Sequence, residues 1–239
     1  MAYGVVAWLA DERNLNGDGD GVLENGVRVD LRRGFVVGGV SAGGAAAATI
    51  GSISTLLSRP GAGDGPVKEL AGLTPLASPI TGIFSGIPSL LHQDMLPEQY
   101  RPLFTSRDEV FDENKAANDA MRAEMESWLD VHSPWFSPIN LERYLDTKIS
   151  FAGHPPKVFI YGCERDQFRD DSVVYAKWLE HLGVQVRAEM LKGEGHVAWI
   201  APPWPACHSQ KIKEVTFSGM SWLLGRDGDV ELSVVNKLY

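Results

Sequence analysis

The stretch from Gly34 to Ala48, reading GFVVGGV, then Ser41, then AGGAAAA, constrains the fold more than any other part of the chain. Gly34 to Val40 is a continuous apolar run that is too short for a helix and rich in valine. Such a run suits a strand buried on both faces of a parallel sheet. Ala42 to Leu57 follows, built from small residues, and reads as a helix able to lie very close to that sheet. Ser41 therefore sits on a turn from buried strand to helix, with Gly39 and Gly43 on either side.

The rest of the chain extends this pattern. Ala2 to Glu12 reads as a short helix, with Val5, Val6 and Leu9 on one side. Asn14 to Gly26 and Gly61 to Pro66 read as Gly- and Asp-rich connections. Ile80 to Leu91 holds a second strand, and Val158 to Gly162 (VFIYG) is a third buried run. Val184 to Leu191 alternates Val184, Val186, Ala188 and Met190 with Gln185, Arg187 and Glu189, which predicts a fourth strand. Ser106, with Glu109 three residues later, has the spacing of a capping box opening a charged helix. Ala117, Met121, Met125 and Trp128 mark one helical face. Ser172 to Leu182 is a helix closed by Gly183, and Ile212, Val215, Gly219 and Leu223 mark a last one. Strands alternating with helices predict an α/β domain with a mainly parallel sheet and helices on both faces. The whole of 1–239 reads as a single domain with a helical insert or lid at about 92–150.

Composition narrows the function. Of 239 residues, 22 are Lys or Arg and 31 Asp or Glu, a net charge of −9 that disfavours nucleic acid and anionic membranes as partners. No apolar run approaches the roughly 20 residues of a membrane helix. The segment MAYGVVAWLADERN lacks the basic start of a signal peptide. Two cysteines, Cys163 and Cys207, make no disulfide framework, so a reducing, cytoplasmic setting is expected.

Gly39-Val40-Ser41-Ala42-Gly43 is a G-x-S-x-G sequence at a strand-to-helix turn, the setting that lifts a serine hydroxyl above a sheet edge. A nucleophilic serine needs a base and an acid, and in this topology they follow in the order Ser, Asp/Glu, His. Asp166 lies in the loop after the third strand and His196 in the loop after the fourth, at the ends where parallel sheets place their sites. The expected roles are Ser41 as nucleophile, His196 as general base and acid, and Asp166 as orienting carboxylate. The amide of Ala42 is one expected oxyanion donor. No metal and no cofactor are called for.

Four stretches, GVSAGG (39–44), SPWFSP (133–138), RDQFRDDS (165–172) and GEGHVAW (193–199), resemble the α/β-hydrolase family of the hormone-sensitive-lipase type, especially its fungal carboxylesterase-like members. The similarity runs from about Ala2 to Trp199. The family's D-P-L-R-D around the acid is matched by Asp166 to Asp170, with Gln167 in place of Pro, and Glu164 is the fallback acid. Its H-G-F around the base becomes His196-Val197-Ala198. The resemblance implies a substrate pocket to which Trp135, Phe136 and Val197 contribute, and small apolar esters or lactones as substrates, with a lean to fungal secondary metabolism. The family's upstream His-Gly-Gly loop, which supplies further oxyanion amides, has no counterpart in the 40 residues before Ser41. The resemblance thus implies a chain short of its first strands, with one edge of Phe35–Val37 unpaired, unless a second copy completes it as a homodimer. Two alternatives stay open: a non-catalytic ligand-binding member, and a dehydratase or cyclase using the same three residues on a polyketide-like substrate.

The other chemistry-bearing residues have simpler readings. Asn14 to Gly21 resembles a calcium loop but places Asn25 or Val27 where a bidentate Glu is required. His92, Asp94 and His132 lack metal-ligand spacing. Cys163, after a buried strand, reads as a small hydrophobe.

Overall fold

The computed structural model describes residues 2–17, 27–59, 68–110, 116, 119–120, 123–124, 127–143, 153–196 and 206–226. Four strands, β1 (Val36–Val40), β2 (Gly82–Gly86), β3 (Lys157–Cys163) and β4 (Gln185–Leu191), form one sheet in the order β1-β2-β3-β4. All three pairings are parallel, with Val36 opposite Gly82, Gly82 opposite Lys157, and Lys157 opposite Gln185. The helices are α1 (Ala2–Leu9), α2 (Glu12–Asn16), α3 (Ala42–Leu57), α4 (Ser106–Glu109), α5 (Arg169–His181) and α6 (Ala206–Leu223).

The period-2 geometry of the strands sorts the core into two layers. Ile83, Val158 and Ile160 point to one face and pack with α3 (Ala47, Ile50, Ile53) and α5 (Val174, Trp178). Phe84, Phe159, Tyr161 and Cys163 point to the other and pack with Val215 and Leu223 of α6. Phe84 and Phe159 stack across the β2–β3 pair at 5.5 Å between ring centres. Gly219 is required there, because a Cβ on it would reach within 2.5 Å of the Phe159 ring. The α/β arrangement with helices on both faces is thus the observed one.

Several local expectations are corrected. The expected helix from Ala2 to Glu12 breaks in two, because Asp11 turns extended and its carboxylate accepts the amide of Arg13 at the start of α2. The first strand is half-buried, with Gly38 exposed, since among the described residues β1 lies at the sheet edge and pairs with β2 alone. The second strand spans only Gly82–Gly86. Ile87 follows at φ 37°, and Pro88 supplies no amide to continue the ladder. The fourth strand forms as expected, with its alternating apolar set only partly inward. Val186 packs on the core, but Ala188 and Met190 are exposed while Leu191 packs opposite, because β4 is the other edge.

The capping box at Ser106 is not formed. Ser106 is the first residue of the single-turn α4, and the carboxylate of Asp170 accepts the amides of Thr105 and Ser106 at 2.7 and 2.6 Å. Glu109 is drawn instead to Arg169, 2.7 Å away. Between β2 and β3 the described residues form short turns, Gln93–Met95, Glu98–Leu103 and Pro138–Arg143, besides α4 and helical residues at 116, 119–120 and 123–124. Ala117, Met121 and Met125 lie outside the described residues, and Trp128 is exposed. Among the described residues no helix is long and apolar enough to cross a membrane.

Candidate active site

The site begins with the turn after β1. Ser41 has φ 56° and ψ −122°, a conformation that costs a non-glycine residue on the order of 1–3 kcal/mol. It persists because its surroundings over-determine it. The Ser41 amide donates to Gly86 O at 2.8 Å, and its carbonyl accepts the amide of Ala45 to open α3. A Cβ on Gly39 would meet the backbone of Gly43, and one on Gly44 would lie 2.7 Å from Gly86 O. Gly43, the second glycine of the motif, has open space around its Cβ position.

The glycines that close this turn are therefore Gly39 and Gly44. Gly43→Ala is expected to leave thermal stability unchanged or raise it by up to about 1 kcal/mol, the helix-propensity difference. Gly44→Ala is expected to lose about 1–3 kcal/mol through overpacking against β2. Chemical denaturation of the two variants checks the contrast.

Ser41 occupies the N-cap position of α3, yet its hydroxyl makes no capping bond. Its Oγ lies 2.8 Å from Nε2 of His196 instead. Nδ1 of the same ring lies 2.7 Å from Oδ2 of Asp166. The first-turn amides of α3, beginning with Ala42, are thereby left uncapped by Ser41 at the positive end of a helix dipole. Asp166 is 1% exposed, and its second oxygen accepts the amide of Phe168 at 2.8 Å. The aspartate is thus held from both sides with one oxygen aimed at the imidazole. Phe168 also sets its ring edge-on to His196, 5.2 Å between centres.

The remaining expected site residues fall as follows. Glu164, the fallback acid, accepts the amide of Gly193 and is not the carboxylate beside His196. Trp135 packs edge-on to Tyr3 of α1 at 6.4 Å, and Phe136 packs against the main core. Val197 lies outside the described residues. Cys163 is buried, with its thiol pushed up to about 12 by burial and by the carboxylates of Asp166 and Glu194. It is a poor nucleophile in that state. His92 interacts with its neighbour Asp94, and His132 with Arg143. Among the described residues no cluster of His, Cys, Asp and Glu could hold a metal ion. Asn14 and Asn16 bond to Trp8 O and to Val29, while 18–26 of the calcium-like loop lie outside the described residues.

Sequence reasoning missed a set of supporting residues. Arg107 lies between the rings of Phe104 and Phe168, 4.7 and 4.6 Å from their centres, and donates to Gln167 O. It also faces the fully buried Asp171 at 2.7 Å, whose other oxygen accepts the amides of Leu90 and Leu91. The turn that carries Asp166 and Phe168 is therefore clamped from α4. Only the RDQFRDDS stretch hinted at this, since its partner Arg107 is far away in sequence.

Asp170 gives this clamp a pH signature. Burial raises its carboxyl, but Arg169 and the amides of Ser106 and Thr105 together hold it below the ordinary carboxylate value. A carboxyl lowered on folding stabilises above its unfolded pKa of about 4 and loses that contribution as pH falls through the folded value. Melting temperature should thus fall in two stages, from about pH 6.5 as the buried His154, held down to about 4, resists the proton its unfolded form takes up, and again below about pH 4 as Asp170 loses its share. Asp170→Asn should lower it at pH 7 and flatten part of the acid slope, as a calorimetric pH series would show.

An α/β domain with an uncapped helix start and a Ser-His-Asp line at the carboxyl ends of its strands has the build of an acyl-transfer hydrolase. The chain belongs to the alpha/beta hydrolase fold family, whose model matches residues 2–200. It is similar to an AB hydrolase superfamily protein of Schizosaccharomyces pombe, 27% identical over 207 residues, covering 81% of this chain and 50% of that protein. Among solved structures it is similar to vibralactone cyclase, with a TM-score of 0.63 and 24% identity, covering 94% of this chain and 56% of the other. It is also similar to brefeldin A esterase, described as a bacterial homologue of human hormone-sensitive lipase, with a TM-score of 0.57 and 20% identity over 91% and 52% of the two chains. The chain spans half or less of the first curated relatives it matches.

Proposed function

We propose that the protein is a serine hydrolase that cleaves carboxylic esters or lactones of small apolar molecules through an acyl-enzyme. The observation that carries this reading is the unbroken line from Ser41 Oγ to His196 to Asp166, at 2.8 and 2.7 Å, on a strained serine. His196 Nε2 accepts the Ser41 proton as Oγ attacks the ester carbonyl and returns it to the leaving alcohol. Water then repeats the cycle on the acyl-serine. Asp166 holds the tautomer that leaves Nε2 free to accept and stabilises the imidazolium. The amide of Ala42 donates to the oxyanion. The substrate is a small molecule and the reaction asks for no metal or cofactor. A reducing cytoplasmic compartment fits the free buried thiol of Cys163. Light scattering would reveal whether two copies pair along β1.

The test is incubation with p-nitrophenyl esters of short to medium acyl chains and, separately, with a fluorophosphonate, followed by peptide mass mapping. An adduct on the Ser41 peptide with ester turnover supports the reading. A folded protein that neither labels nor turns over any ester of the series overturns it and favours a ligand-binding role.

The similarity to vibralactone cyclase favours a second reading, in which a group within the substrate, and not water, takes the acyl group from Ser41. Turnover in ¹⁸O-water separates the two. Hydrolysis places the label in the product carboxylate, whereas intramolecular capture gives an unlabelled cyclic product.

A further inference from the structure

Glu194 is two residues before His196 and only 2% exposed, a charged side chain buried within the loop that carries the imidazole. Such a group is expensive to bury and is retained where its partners fix a geometry. Its Oε1 lies 2.9 Å from Nζ of Lys211 on α6, and the same ammonium donates to Lys192 O at 3.2 Å. Glu194 O accepts the amide of Arg165, so the loops of the acid and the base are joined directly. Gly193 N donates to Glu164, which fixes the other side of the turn. The 192–196 loop is thus held by Glu164 and Arg165 from the β3 side and by Lys211 from α6.

We propose that Lys211 is a positioning residue for His196: by bridging the buried Glu194 carboxylate and the Lys192 carbonyl, it fastens the loop of the imidazole to α6. The inference rests on the hydrolase reading for its catalytic consequence, though not for its structural one. With Lys211 removed, the loop that must hold His196 within hydrogen-bond reach of Ser41 and Asp166 loses its fastening to α6 at both Glu194 and Lys192. A displacement of about 1 Å in such a group costs up to about 10²-fold in rate.

The test compares Lys211→Met, Lys211→Arg and the double variant Glu194→Gln/Lys211→Met with the unaltered chain. The readouts are kcat and KM on p-nitrophenyl acetate, thermal midpoint, and the far-downfield proton resonance of the His196–Asp166 hydrogen bond. Lys211→Met is expected to lower kcat between about 10- and 100-fold at nearly constant KM, and to broaden or abolish the downfield proton well below its melting temperature. Lys211→Arg is expected to restore most of both. The double variant, which removes the buried charge together with its bridge, is expected to recover stability without recovering the proton signal, and it carries the test if Lys211→Met does not fold. A wild-type kcat and an unchanged downfield proton in a folded Lys211→Met or double variant would overturn the proposal and leave the pair a purely structural contact. If the unaltered chain hydrolyses nothing, the hydrolase reading fails while the downfield proton still decides the positioning role.

Discussion

Ser41→Ala is expected to lower kcat on a p-nitrophenyl ester by roughly 10⁶-fold and to eliminate fluorophosphonate labelling, the scale seen when the nucleophile of such a triad is removed. The substitution deletes one oxygen from a site whose backbone is already set by Gly86, Gly39 and Gly44, so folding should survive. Relieving the hydroxyl leaves the positive φ in place, and alanine tolerates it no better than serine. Circular dichroism and melting should therefore be close to the unaltered chain while activity falls to the level set by the oxyanion amides and binding alone. Ester turnover that persists in Ser41→Ala would mean that another group performs the chemistry.

Asp166→Asn is expected to cost about 10⁴-fold in kcat with little change in KM. The carboxylate oxygen 2.7 Å from Nδ1 accepts a hydrogen bond from the Nδ1–H, which leaves Nε2 as the acceptor for the serine proton. The amide introduced by the substitution can turn its NH₂ to Nδ1, favour the opposite tautomer and block the transfer. Glu164→Gln is the matched control, because Glu164 bonds to the Gly193 amide and not to the imidazole. Its effect should stay within about tenfold, the consequence of a loosened turn at most. Equal losses from the two substitutions, measured on one substrate, would contradict the assignment of the acid to Asp166.

Much of this arrangement was legible from local pattern. The apolar run before Ser41, the small helix after it, and the loops following VFIYG and VQVRAEML each carry their own signal, and together they put Ser41, Asp166 and His196 at the same end of one sheet. Pattern failed where the deciding partner is distant. Ser106 and Glu109 have capping-box spacing, but a better acceptor, Asp170, arrives from α5, and Arg169 removes Glu109. Arg107 and Asp171 are ordinary charges in sequence and become a clamp only when α4 meets the acid loop. Alternation over Val184, Val186, Ala188 and Met190 marks the strand but not how far an edge strand is covered, and Ala188 and Met190 are exposed.

The strand order gives the Ser41–His196 bond a further use. Ser41 ends the first strand and His196 follows the last, so the bond spans 155 residues of sequence and the whole width of the sheet. It exists only when all three parallel pairings hold their registers. A slip of a single residue in any of them would shift a partner by roughly 3.3 Å and turn its strand's side chains to the opposite face. The rate at which a fluorophosphonate reacts with Ser41 is thus a single-atom gauge of the entire fold. Followed through a urea titration, it should vanish together with the sheet rather than before it.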